Sequence, residues 1–170
     1  MAITYRRDLS RPLTIEEMDN NFETAVGGGY TETIVEVTAN QLKTDLVNGI
    51  DLGLPKAVGK YLEFDKVIFE FNNGTTPYTV VGTEFLVVYS SNFNAVYTCP
   101  DNLLANGADA IAVRHDVDLG YNSGQNTFYT DNEDWYLSIF DATQGAGTLP
   151  TDGDGTLRLK IYHKTITFGA

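Results

Sequence analysis

A chain of 170 residues has room for one compact domain with a short appendage, and none for a second catalytic domain. Its 11 lysines and arginines stand against 23 aspartates and glutamates, and the resulting net charge of −12 would repel nucleic acid phosphates and anionic lipids. No apolar run approaches the ~20 residues of a membrane-spanning helix, and a lone cysteine, Cys99, cannot form an internal disulfide framework. We therefore expect a soluble protein assembled in the cytoplasm, with neither nucleic acid nor a membrane as partner.

The first eleven residues form a basic arm on an otherwise acidic chain. Arg6, Arg7 and Arg11 are opposed there only by Asp8, which gives the arm +2 and leaves −14 for the rest. One interpretation is an anchor for an acidic partner, including the same protein in a neighbouring subunit. The other interpretation is a solvated terminus.

A helix is predicted to begin directly after the arm. Thr14 is placed as its N-cap, Glu17 at the third helical position completes a capping box, and Leu13 can pack on Met18 as a hydrophobic staple. This start signal is complete, so we expect the helix to be set locally by these residues.

The predicted helix carries one apolar stripe and is stopped by three consecutive glycines at 27–29. The stripe consists of Ile15, Met18, Phe22 and Val26. About three turns are marginal for an isolated helix, so the stripe must be buried on its own domain or on other subunits. We predict a homo-oligomer, with a trimer favoured, and two units: residues 1–29 for docking and oligomerisation, and residues 30–170 as the folded domain.

From Thr31 onward the residue pattern is that of strands separated by turns. Strands are predicted at residues 33–38, 59–71, 78–90, 108–114, 127–130, 135–141 and 156–167, with a further candidate at 46–54. The fold class that follows is mainly β: an antiparallel β-sandwich, jelly-roll-like, with one short N-terminal α-helix.

Two features of the segment from 59 to 90 bear on its pairing. The alternation of apolar and polar residues changes phase at Asp65 and Lys66, which predicts a bulge or bend in a long strand. The turn-forming cluster at residues 72–77 predicts that the strands on either side of it pair as an antiparallel hairpin.

The chain offers few candidates for catalysis or metal binding. His115 and His163 lie in strand-like segments without a nucleophile motif nearby, so we interpret them as ordinary surface or core residues. One cysteine and two distant histidines cannot build a tetrahedral zinc site without carboxylates. We therefore expect a protein that is not an enzyme and needs no cofactor; paired carboxylates for glycoside hydrolysis leave no sequence spacing to test.

Two acidic loops, residues 131–134 and 151–155, bring together the oxygen ligands that calcium prefers. Neither completes an EF-hand loop with its terminal glutamate. We interpret both as plain turns, and a weak calcium site stays the alternative.

Residues 5–22 resemble the short N-terminal module of tailed-phage fibre and other virion proteins. The matching residues are Arg11, Leu13, Thr14, Glu17, Met18, Asp19, Asn21 and Phe22. Pro12 and the glycines at 27–29 depart from relatives in which the helix continues into a long fibre. Residues 37–168 are more loosely similar to small phage β-proteins, through the turn at 57–60, the step at 76–79 and the closing run at 153–157.

The resemblance implies a non-enzymatic structural component of the virion that is oligomeric and binds other virion proteins. A tail or fibre-attachment protein is the favoured interpretation, and capsid decoration is the alternative. A third hypothesis is a host receptor or glycan binder, which would need exposed aromatic side chains clustered in loops. The candidates are Tyr121, Phe128, Tyr129, Trp135 and Tyr136.

Overall fold

The computed structural model describes residues 29–81, 84–91, 96–99, 103–114, 132–141 and 147–167. The basic arm, the helix predicted from Thr14 and the strand predicted at 127–130 lie outside these residues. Within the described part, no helix has the length and apolar character needed to cross a membrane.

Strands dominate the described chain, and one short α-helix interrupts them. In chain order the elements are β1 (Thr31–Val37), α1 (Ala39–Thr44), β2 (Ile50–Asp51), β3 (Lys60–Asn72), β4 (Tyr78–Thr79), β5 (Glu84–Ser90), β6 (Val96–Thr98), β7 (Ala110–Arg114), β8 (Trp135–Asp141), β9 (Thr151–Asp152) and β10 (Thr156–Thr167). A 3₁₀ turn, Leu103–Ala105, precedes β7.

The described strands form two antiparallel four-stranded sheets and one small pair. The first sheet has the order β1-β10-β3-β7, the second has the order β2-β8-β5-β6, and β4 pairs with β9. Apart from that small pair, the strands are nested: β1 pairs with β10, β2 with β8, β3 with β7 and β5 with β6. Nested pairing of this kind is one long hairpin rolled into two sheets, which is the jelly-roll arrangement. The predicted class, a mainly β antiparallel sandwich, is confirmed, while the N-terminal helix that was part of the prediction lies outside the described residues.

The core lies between the two sheets and is filled mainly by β3, β10 and β8. Phe69 of β3 and Leu159 of β10 are completely buried, and Leu137 of β8 is buried against them from the second sheet. On β10 the buried residues alternate with outward ones as far as His163, and the predicted strand at 156–167 matches the observed Thr156–Thr167.

A bulge interrupts β3 where the sequence predicts it. Lys66 pairs with Tyr162 and Phe64 with His163, so Asp65 is the extra residue on the β3 side. The buried positions change phase at this point. The prediction of a bulge at Asp65 and Lys66 is therefore confirmed.

The predicted hairpin between residues 59–71 and 78–90 is wrong. β3 pairs with β10 and β7 in the first sheet, whereas β5 belongs to the second sheet and pairs with β8 and β6. The predicted strand at 78–90 is two strands, because β4 pairs with β9 before the chain enters the second sheet. The candidate strand at 46–54 shortens to Ile50–Asp51 after a turn at 45–48.

The helix α1 was not predicted, although its start carries the same signal as the one at Thr14. The Thr38 hydroxyl accepts from the Gln41 amide, and the Gln41 side chain accepts from the Thr38 amide, a complete capping box. Leu42 is the buried residue of this helix, and Lys43 donates to the carbonyl oxygens of Asp152 and Gly153. The short helix thereby ties the start of the domain to the turn before β10.

Candidate interaction surface

The outer face of the first sheet carries a charged centre made by β10 and its two neighbours. Nε of Arg158 donates to Glu36 on β1 at 2.6 Å, and Nζ of Lys160 donates to Glu70 on β3 at 2.5 Å. A guanidinium nitrogen of Arg158 also lies 3.9 Å from Glu70. The hydrogen bond that Arg158 donates to the Glu36 carboxylate raises the pKa of Arg158. Exposed pairs of this kind add little stability individually. Here they connect side chains on three neighbouring strands, β1, β10 and β3.

A second polar group covers the other end of the same face. The Tyr30 hydroxyl donates to Glu63 at 2.7 Å, and Lys164 binds Glu63 at 2.9 Å while lying 4.8 Å from the centre of the Tyr30 ring. The hydrogen bond from Tyr30, followed by that from Lys164, lowers the pKa of Glu63. Tyr30, the residue that precedes β1, is therefore fixed at this end of the sheet.

Apolar side chains are exposed at both edges of this face. Ile111 and Val113 on the edge strand β7 are 70% and 46% exposed, and Ile34 on the opposite edge strand β1 is 50% exposed. Cross-strand pairing accounts for the β7 residues, because Ala112 and Ala110 lie opposite Phe69 and Phe71 in the core. With small residues turned inward, the branched side chains of β7 point outward.

A shallow depression of about 670 Å³ lies between the charged centre and the β7 edge. Its lining includes Glu36, Glu70, Asp109, Ile111 and Arg158, and we call it the acidic groove. Three carboxylates and one guanidinium give this lining a net formal charge of −2. Asp109 also accepts a hydrogen bond from the amide of Asn73 at 2.9 Å, which fixes one of its oxygens. Glu36 and Glu70 are already paired with Arg158 and with Lys160, which lies outside the lining, and Ile111 adds an apolar side chain to the groove.

Elsewhere in the fold, an imidazole and a carboxylate are buried and hydrogen-bonded. His163 is 3% exposed, its Nε2 lies 2.8 Å from the Thr33 hydroxyl, and burial lowers its pKa. Glu84 is equally buried, and its carboxylate accepts from the amides of Val81 and Thr148. His163 is thus a core residue, as the sequence indicated, while His115 lies outside the described residues.

In the described part of the two acidic loops, the aspartates are engaged in contacts with the rest of the chain. The Asp154 carboxylate accepts from the Thr75 hydroxyl and from the amides of Thr75 and Thr76. Asp134 forms an ion pair with Lys56. No group of three or more histidine, cysteine, aspartate or glutamate side chains in the described ranges is arranged to hold a metal ion. Within the segment predicted as a turn at 151–155, Thr151 and Asp152 form the short strand β9, and residues 153–155 connect it to β10.

The aromatic residues considered for receptor binding do not form a described cluster. Trp135 is 4% exposed and packs on Phe64, with ring centres 4.3 Å apart. Tyr136 packs on Tyr89 on the outer face of the second sheet. The other three candidates, Tyr121, Phe128 and Tyr129, lie outside the described residues.

All seven residues predicted to bind partners also lie outside the described residues. They are Arg6, Arg7, Arg11, Ile15, Met18, Phe22 and Val26. The structure instead adds Ile111 and the acidic groove, which the sequence reasoning missed. The available signal was the run Ala110-Ile111-Ala112-Val113, which alternates small and branched residues but does not say which set faces the core.

No family model matches this chain, and neither does any curated protein or solved structure with which it was compared.

Proposed function

We propose that the chain is a non-enzymatic structural component of a tailed-phage particle, a tail or fibre-attachment protein that acts by docking and self-association. The observation that carries the proposal is the N-terminal sequence, in which eight residues between Arg11 and Phe22 resemble the module of phage fibre and virion proteins. The partners would be other virion proteins and further copies of the same chain.

The fold supports this proposal by analogy. Jelly rolls recur in viral capsid domains and in lectins, although one fold serves many functions. The capsid precedent also favours a second candidate, capsid decoration, in which the same domain would cover the head of the particle.

The outer face of the first sheet supports a docking role on physical grounds. Apolar side chains at an exposed edge, rimmed by charged residues, are typical of interaction surfaces. Ile111 and Val113 form such an edge beside the ion pairs of Arg158 and Lys160. The charged rim would set the orientation of a partner, and the apolar edge would contribute affinity.

Localisation on the particle tests the proposal. Antibodies raised against the purified chain would be gold-labelled and applied to purified particles of the phage that encodes it. We expect labelling at the tail or at the fibre attachment. Labelling spread over the head would establish the decoration candidate, and absence of the protein from washed particles would reject both.

Removal of residues 1–11 tests the part played by the arm. We expect the shortened protein to keep its β-rich circular dichroism spectrum and to be lost from particles assembled in its presence. Normal incorporation would place the attachment surface on the sandwich instead.

A further inference from the structure

The strand β7 forms one edge of the first sheet and is paired on one side only. It pairs with residues 67–71 of β3, and no other described residue hydrogen-bonds to its backbone. Ile111 and Val113 project from its outer face and are 70% and 46% exposed. An edge strand whose amides and carbonyls lack partners is a template for the addition of a further strand.

Two of the other edge strands are unsuited to such an addition. β1, the opposite edge of the first sheet, carries the exposed carboxylates of Glu32 and Glu36, which accept hydrogen bonds from side chains of β10. Charged side chains on an edge disfavour an added strand. β2, at an edge of the second sheet, is only two residues long. β7 differs from both, because residues 110–113 are neutral and form a regular ladder with β3.

β6, the remaining edge of the second sheet, is capped by a side chain of β7. The amide of Cys99 donates to the Leu86 carbonyl on β5, so the carbonyl of the preceding residue, Thr98, points to the outer side. Nε of Arg114, the last residue of β7, donates to that carbonyl at 2.7 Å. The charge of Arg114 is therefore turned towards the second sheet, and no described residue caps β7 in the same way.

The neutral segment of β7 is complementary to itself. Antiparallel pairing of two copies about a two-fold axis at Ala112 places Ile111 of each copy opposite Val113 of the other. The four branched side chains then lie on one face, next to Ile68, the residue of β3 that pairs with Val113. Branched pairs of this kind stabilise a sheet, and no like charges are brought opposite each other. The symmetric register is the same whichever backbone groups of β7 point outward.

We propose that β7 pairs antiparallel with β7 of a second copy, so that two first sheets join into one sheet of eight strands. This inference rests on the self-association in the proposed function, for which it names the surface. The contact is isologous, so it joins copies two at a time and connects one trimer to another. A contact made by two five-residue strands is small beside the ~1,200 Å² of a standard interface, so it is populated where copies are concentrated.

The charge of the chain separates a second copy from a basic partner. Each copy has a net charge of −12, so two copies repel each other at long range. Salt screens exposed charges within ~10 Å at 0.1 M and should therefore strengthen the pairing of two neutral edges. A basic partner strand would bind an acidic chain less tightly as salt is added.

Thiol cross-linking in the full chain tests the proposal. Ile111→Cys and Val113→Cys would be placed on separately tagged chains, mixed at high concentration and treated with a short thiol-reactive cross-linker. The native Cys99 is 2% exposed and is shielded from this reaction. We expect a covalent dimer carrying both tags, with a yield that rises as salt is added. The matched control replaces Val113→Cys by Val58→Cys, an 82% exposed position before β3, and should give none.

A charge placed on the edge supplies the second part of the experiment. Ile111→Lys should abolish the concentration-dependent rise in sedimentation coefficient beyond that of the trimer. Ile34→Lys is its matched control, because Ile34 is 50% exposed on the opposite edge of the same sheet and should leave the rise intact. Circular dichroism would verify that both variants keep the β fold. Equal association of the two variants would overturn the role of β7.

The remaining outcomes also decide the matter. Absence of a cross-link, equal cross-linking to Val58→Cys, or a yield that falls as salt is added would overturn the pairing of two copies through β7. The cross-link should persist in chains that also carry Met18→Asp and Phe22→Asp in the predicted helix, and its loss there would overturn a contact separate from the helical seam. Particle incorporation is measured separately, so a chain that is incorporated but gives no cross-link refutes this inference and leaves the proposed function standing.

Discussion

The carboxylate of Asp154 binds Thr75 twice, accepting from its amide at 2.8 Å and from its hydroxyl at 2.6 Å. The same carboxylate accepts from the amide of Thr76 at 2.7 Å. One side chain thus holds the loop after β3 against the turn that leads into β10. Gly74 is required there, because a Cβ at that position would lie 2.3 Å from the Asp154 carboxylate.

Asp154→Ala should therefore loosen the loop at residues 73–76 while the sheets stay intact. We expect faster amide hydrogen exchange at Thr75 and Thr76, with little change at Leu159 in the core. Asp154→Asn is the matched control, since it keeps one oxygen for both amides and should protect them better than alanine. Equal exchange in the wild type and Asp154→Ala would contradict the assignment.

The pH dependence of this contact has a defined direction. Hydrogen bonds from Thr75, first through its hydroxyl, hold the pKa of Asp154 below its ordinary value of 3.8. The contribution of Asp154 to the free energy of unfolding is therefore fully present above pH 3.8. It is lost as the pH falls through the lower pKa of the folded state. Acid unfolding of Asp154→Ala should lack this contribution.

Tyr78 should make the fold sensitive to alkali. Its hydroxyl donates to the Gly155 carbonyl at 2.7 Å, and burial raises the pKa of Tyr78 from 10.0 to about 12. The unfolded chain releases this proton at lower pH than the folded one, so the free energy of unfolding should fall between pH 10 and about 12. Tyr78→Phe should cost about 1 kcal/mol near neutral pH and reduce the alkaline slope. Denaturant unfolding at pH 8 and pH 11 measures both effects.

His163 should make the fold sensitive to mild acid. Burial holds its pKa below the ordinary 6.5, so the unfolded chain takes up a proton at higher pH than the folded chain. The free energy of unfolding should then be constant above pH 6.5 and decrease below it. His163→Gln, which can still reach Thr33 but does not titrate, should flatten this decrease. His115→Gln is the control and should retain it; equal slopes in the two variants would contradict the assignment.

The sequence predicted well those features of the fold that depend on consecutive residues. The bounds of β10 agree because its alternation is a property of consecutive residues. The bulge at Asp65 was predictable for the same reason, since an extra residue shifts the phase of burial along one strand.

Local sequence patterns did not predict which strands pair with each other in the sheets. A turn at residues 72–77 suggested that β3 and β5 pair, but β3 pairs with β7 and β10, and β5 pairs with β8 and with β6, the strand that follows it. Such pairings depend on how both sheets share one core, and no local pattern encodes them. The acidic groove has the same origin, because Glu36, Glu70 and Asp109 meet only after the four strands β1, β10, β3 and β7 are in register.

The apolar stripe of the predicted N-terminal helix should drive self-association into trimers. Three turns of helix do not persist alone in water, and apolar residues at spacings of three and four form a seam between helices. We expect the wild-type chain to give three times the mass of one chain in light scattering. Met18→Asp with Phe22→Asp places carboxylates in the seam and should reduce the mass to that of a monomer.

Asn20→Asp is the matched control for the stripe, because it adds a carboxylate to the same helix on its polar side. We expect this variant to remain trimeric. The stripe and the arm are separable, because substitutions at Arg6, Arg7 and Arg11 leave the seam untouched and should leave the trimer intact. A wild-type chain that stays monomeric as its concentration rises would reject the seam and would mean that the stripe is buried on its own domain.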